Sequence, residues 1–62
     1  MRYLAKMNTW THDRDYPISK TFMKKKTAMA YIKRALKIYP YAKITLYSYT
    51  NDGKQKSQKT YG

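Results

Sequence analysis

Thr27-Ala28-Met29-Ala30-Tyr31-Ile32-Lys33-Arg34-Ala35-Leu36-Lys37-Ile38-Tyr39 reads as an amphipathic helix. Ala28, Ile32, Ala35, Leu36 and Tyr39 recur at spacings of three and four, so they share one face. Lys33, Arg34 and Lys37 fall on the other side. Thr27 fits as the N-cap, because its hydroxyl can accept a bond from an unpaired first-turn amide. Pro40 ends the helix: it has no amide hydrogen, and it steers Tyr39 away from helical angles. At ~1.5 Å per residue such a helix is about 20 Å long, enough to lie across a small sheet. A single helix cannot bury its apolar stripe alone, so the flanking segments must supply a second layer.

Working outward, residues 42–50 form the clearest strand. Ala42, Ile44, Leu46 and Ser48 alternate with Lys43, Thr45, Tyr47 and Tyr49, and β-branched and aromatic types dominate. Asn51-Asp52-Gly53 is a hairpin signal, since these residues tolerate positive φ. Residues 54–61 then return as a fourth strand. It has almost no apolar residues before Tyr61, so it is either an edge strand or a frayed tail, and its lysines suit an edge by opposing aggregation.

On the other side of the helix, residues 2–10 alternate as a strand. Tyr3, Ala5 and Met7 point one way, and Arg2, Leu4, Lys6 and Trp10 the other. Residues 11–15 form a polar turn in which Asp can bond nearby amides. Residues 16–23 read as the returning strand, with Pro17 at its start or on an edge. Lys24-Lys25-Lys26 leads into the helix and opposes its macrodipole by a few tenths of a kcal/mol per residue (~0.3). Such local costs often mark functional positions, although solvated loop lysines explain them equally well.

At an offset of 39 residues, Trp10-Thr11-His12-Asp13 lines up with Tyr49-Thr50-Asn51-Asp52, and Lys20-Thr21-Phe22 with Lys59-Thr60-Tyr61. Two similar hairpins around one helix give the order ββαββ. The expected fold is therefore α+β, with residues 1–62 as a single basic domain. One helix packs on a mainly antiparallel sheet of three to four strands, depending on whether 54–62 pairs. Tyr3, Ala5, Met7, Ile18 or Phe22, Ile44 and Leu46 pack beneath Ala28, Ile32, Ala35 and Leu36. The other sheet face carries Arg2, Lys6, Trp10, Lys43, Thr45, Tyr47 and Tyr49.

Charge dominates the composition. Fourteen Lys and Arg face three acidic residues in 62, a formal net charge of +11. Self-repulsion on this scale opposes a compact fold and points to a polyanionic partner. Eight Tyr with one Trp and one Phe argue against a disordered basic tail. There is no Cys to form a disulfide or a thiolate metal site. No apolar run approaches the ~20 residues of a membrane span, and the N-terminus lacks the apolar block of a signal peptide, so a cytoplasmic location is expected.

Catalysis has little to work with: one His, no Glu, and two of the three Asp beside that His in one turn. His12, Asp13 and Asp15 are too close in sequence to converge readily on a tetrahedral metal site. There is also no Gly-rich phosphate loop. The reading is a non-enzymatic protein with no cofactor and no metal.

A sheet face of cations interleaved with aromatics suits nucleic acid, because Lys and Arg neutralise phosphates and aromatic rings stack on bases. A sheet can also enter a duplex major groove. The expected face contacts are Arg2, Lys6, Trp10, Lys43, Tyr47 and Tyr49, supported by phosphate contacts from Lys24, Lys25, Lys26 and Lys54. Cross-strand packing is the structural alternative for Trp10, Tyr47 and Tyr49. Lys26, Lys33, Arg34 and Lys37 offer a second basic surface on the helix. A different class of function fits the same charge: a small phage-type modulator or inhibitor docking on an acidic host protein. Adsorption to anionic lipid is less favoured, because the core accounts for the helix's apolar stripe.

Residues 22–31, Phe-Met-Lys-Lys-Lys-Thr-Ala-Met-Ala-Tyr, resemble the strand-to-helix junction of the AP2-like arm-binding domains of tyrosine integrases. That resemblance implies a three-stranded sheet reading the major groove. It covers ten residues, lacks the acidic residue of that helix start, and is followed here by an extra hairpin, so it places the chain in no family.

Overall fold

The computed structural model describes residues 1–9 and 13–62. Its elements run β1 (Arg2–Met7), β2 (Ser19–Phe22), α1 (Lys25–Ile38), β3 (Ile44–Tyr49) and β4 (Gln55–Tyr61). The strands form one antiparallel sheet in the order β2-β1-β3-β4, and α1 lies on one side of it. This is the ββαββ architecture expected, and residues 55–61 pair as a true edge strand. The sheet has four strands, not the three of the integrase-type junction.

Alternation sets the two faces. Ala5 lies opposite Leu46 and Met7 opposite Ile44 across the β1–β3 ladder, and all four are buried beneath α1. From the helix, Ala28, Ile32 and Ala35 close the core, with Leu36 half-buried at its margin. Ile32 and Ile44, at 1% and 0% exposure, are the largest fully enclosed side chains. Phe22 supplies the β2 contribution. Ile18, the alternative, is 42% exposed because it precedes the strand, where its carbonyl accepts the Met7 amide at 2.7 Å.

The helix begins earlier than its cap chemistry predicts. Lys24, extended at φ −127° and ψ 137°, is the N-cap, and no side chain caps the first turn. Thr27 lies inside the helix. Burial of Ala28 holds the first turn against the sheet, and lysine is itself a good helix former. Consequently Lys25 and Lys26 belong to the helix, and the link from β2 is only Met23 and Lys24. At the other end the Tyr39 amide still donates to the Ala35 carbonyl at 2.7 Å before Pro40 stops the helix.

The β3–β4 turn closes as its sequence demands. Gly53 takes φ +87°, and its amide donates to the Thr50 carbonyl at 3.0 Å. The Asp52 carboxylate accepts bonds from the Thr50 hydroxyl and the Lys54 amide. These bonds hold it below the ordinary carboxylate range, the hydroxyl contributing most.

The 39-residue echo has a partial structural counterpart. It maps Ala5 and Met7 onto Ile44 and Leu46, which pair crosswise with them, so the β1–β3 ladder is symmetric about Lys6 and Thr45. The edge strands break the symmetry. Lys20 lies opposite Ala5, whereas Lys59 lies opposite Leu46 rather than Ile44. Both edges still place a Lys over the aromatic two residues on: Lys20 Nζ is 5.8 Å from the Phe22 ring centre and Lys59 Nζ is 5.4 Å from that of Tyr61.

Candidate nucleic-acid interface

The sheet face turned away from α1 carries successive cross-strand rows. Arg2 lies opposite Tyr49; Leu4 sits between Thr21 and Tyr47; Lys6 sits between Ser19 and Thr45. On β4, Gln58 and Thr60 continue the last two rows, and the Thr45 and Thr60 hydroxyls are bonded at 3.0 Å. No element among the described residues covers this face. Tyr47 and Tyr49 are half-buried on it, with ring centres 6.5 Å apart and planes inclined at 31°. Because Ile44 and Leu46 carry β3's share of the core, these two tyrosines are not needed to fill it.

Arg2 and Lys6 are both exposed, about 14 Å apart along β1 at ~3.4 Å per residue. Lys43 extends the row of cations. It lies just before β3, but its amide donates to Asn8 Oδ1 at 2.9 Å and its carbonyl accepts the Asn8 amide at 3.0 Å. That pair prolongs the β1–β3 ladder and puts Lys43 on the open side. Lys54 follows Gly53 in the hairpin turn, at the Arg2–Tyr49 end. Thus Arg2, Lys6, Lys43, Tyr47 and Tyr49 share one face, with Lys54 at its rim. Lys24, Lys25 and Lys26 do not join them: they cap and open a helix that lies on the opposite side of the sheet. Trp10, assigned by alternation to the open face, lies outside the described residues.

No protein-family model, curated protein or solved structure matches this chain. The function must therefore be read from its own surfaces.

The alternation did not show a second aromatic assembly, which ties the segment before β2 to the helix. Tyr16 stacks on Tyr31 at 5.4 Å, Phe22 tilts against Tyr31 at 5.0 Å, and Tyr39 meets Tyr16 edge-on at 6.1 Å. Asp13 anchors the segment, accepting the Tyr39 hydroxyl at 3.2 Å and the Asp15 amide at 2.9 Å. Tyr16 is thus a packing residue rather than part of a strand, and Asp13 is occupied structurally; His12 lies outside the described residues. The signal in the sequence was Tyr31, Ala35 and Tyr39 at successive helical turns. Beside this assembly, Lys20 and Arg34 line an open groove of about 420 Å³ with Asp15 and Thr27.

Within the assembly the Tyr31 hydroxyl is buried and has no hydrogen-bond partner among the described residues. Burial, then Tyr16 and Asp13, push its pKa from 10.0 up to about 12. Because the folded protein holds this proton more tightly than the unfolded chain, the contribution is complete below pH 10 and is lost as pH rises towards 12. Tyr31→Phe removes a buried hydroxyl that no described residue satisfies and is expected to stabilise the fold by about 1 kcal/mol. In thermal melts that is a rise of several degrees, about 4–8 °C, together with a shallower loss of stability between pH 10 and 12. A lower melting temperature at neutral pH would show that the hydroxyl is satisfied in solution.

Proposed function

We propose that this is a small, non-enzymatic nucleic-acid-binding protein that engages its ligand through the uncovered sheet face. The observation that carries the reading is the placement of half-buried Tyr47 and Tyr49 beside exposed Arg2 and Lys6, on a face that no element among the described residues covers. The charge supports it. With every carboxylate matched to a cation, a net charge of +11 still has no counter-charge within the chain. Phosphates would supply one, releasing condensed counterions as they bind.

The test is a fluorescence-anisotropy titration with labelled single- and double-stranded oligonucleotides over a range of salt concentrations. Micromolar or tighter binding near physiological salt, weakening steeply as salt rises, is the expected result. On a single strand each neutralised phosphate contributes about −0.7 to the slope of log K against log salt. Arg2→Gln with Lys6→Gln is expected to flatten that slope by about 1.4. Absence of binding even at low salt would transfer the charge to the second role, docking on an acidic protein.

A further inference from the structure

At one end of the open face the sheet is hollowed. Arg2, Leu4, Thr21, Tyr49 and Gly53 line a depression of about 290 Å³. Its walls come from β1, β2 and β3, with the hairpin turn at its rim. Leu4 and Thr21 face each other in one cross-strand row, Arg2 and Tyr49 in the next. Gly53 keeps the rim low: it carries no side chain, its φ of +87° disfavours any other residue, and the space where a Cβ would stand is empty to 4 Å.

We infer that this hollow seats one unstacked base of a single-stranded nucleic acid. The inference rests on the sheet-face reading and specifies the ligand that face takes. Tyr49 offers an aromatic plane for a base, and Leu4 an apolar floor. The exposed Arg2 guanidinium stands where the attached phosphate emerges, and the Thr21 hydroxyl can donate to or accept from a base edge. None of the lining residues is acidic, so a cationic ligand is disfavoured. An acidic peptide would match Arg2 but leave the Tyr49 plane without a flat partner. A duplex keeps its bases stacked and paired, and extracting one costs energy that a single strand does not spend. The Tyr47 ring, 6.5 Å from that of Tyr49, gives a neighbouring base its own platform.

The test compares binding of a single-stranded homopolymeric oligonucleotide, the same backbone with abasic sugars throughout, and the corresponding duplex. Anisotropy is read over a salt series. The base-bearing single strand is expected to bind at least about fivefold more tightly than the abasic chain, with an equal salt slope, since stacking adds to an unchanged phosphate count. Thr21→Leu, on an exposed edge-strand position, fills the hollow with an aliphatic group that offers no ring. It is expected to remove most of that preference and keep the slope, whereas Thr21→Ser is expected to retain both.

Equal affinity for intact and abasic strands, tighter binding of the duplex, or an undiminished preference in Thr21→Leu would overturn the base seat and leave the sheet-face reading standing. Failure of the unaltered chain to bind any of the three ligands at low salt would overturn the sheet-face reading itself. The abasic comparison uses the unaltered protein, so it decides even if Thr21→Leu fails to fold.

Discussion

Replacing Tyr47 and Tyr49 together by alanine is expected to weaken binding of a single-stranded oligonucleotide by about 30-fold or more, and the domain should remain folded. Stacking on an aromatic side chain contributes about 1–3 kcal/mol per base, so losing two platforms costs at least about 2 kcal/mol. Both rings project from β3 away from α1, while Ile44 and Leu46 on the same strand fill the core. The folding cost is confined to cross-strand contacts on the open face, of order 0.2–1 kcal/mol each. Anisotropy gives the affinity, and circular dichroism with a thermal melt shows whether the fold survives. Unchanged affinity in a folded variant would mean that the tyrosines serve only cross-strand packing, and the interface would have to lie elsewhere.

The largest effect on stability is expected from Ile44→Ala. Ile44 is 0% exposed, lies between Met7 on β1 and Tyr61 on β4, and sits beneath the helix stripe. Truncating a buried Ile to Ala costs about 2–5 kcal/mol, from lost transfer energy and the cavity left behind. A domain of this length rarely has more than about 3–5 kcal/mol in total. The variant is therefore expected to be largely unfolded at 25 °C, with no cooperative thermal transition. Ile44→Val, at about 0.5–1.5 kcal/mol, should still melt cooperatively at a lower temperature. A near-normal transition in Ile44→Ala would show that the core collapses around the missing atoms. High salt should raise the stability of every variant by screening the repulsion among the excess cations.

Much of the fold is legible because it is written in local patterns. The 3.6-residue spacing of Ala28, Ile32 and Ala35 needs no partner to define a face, and Pro40 stops the helix by its own chemistry. Asn51-Asp52-Gly53 specifies its turn through the φ that Gly53 alone accepts readily. Alternation in β1 and β3 separates Ala5, Met7, Ile44 and Leu46 from Arg2, Lys6, Tyr47 and Tyr49, so the chemistry of both faces can be assigned without coordinates. The helix start is less legible: a capping hydroxyl at Thr27 is a weaker determinant than packing of Ala28 on the sheet. The strand pattern over residues 16–23 overruns the observed Ser19–Phe22 because Tyr16 and Ile18 look alike in a pattern. In three dimensions one stacks on Tyr31 and the other stands exposed.

The sequence by itself determined the order of the elements, the two sheet faces and a net charge of +11. Tertiary structure alone decided which residues of the open face become neighbours. Leu4 meets Thr21 because β1 pairs with β2 in one register, and Arg2 meets Tyr49 because β1 pairs with β3 in another. Tertiary structure also put Lys24, Lys25 and Lys26 on the far side from Tyr47 and Tyr49. The physical reason is the range of the interactions. Periodicity and turn propensity act within a few residues and net charge is a sum over composition, whereas register is fixed by burying one face of strands distant in sequence, and a slip of one residue would turn every side chain to the other side.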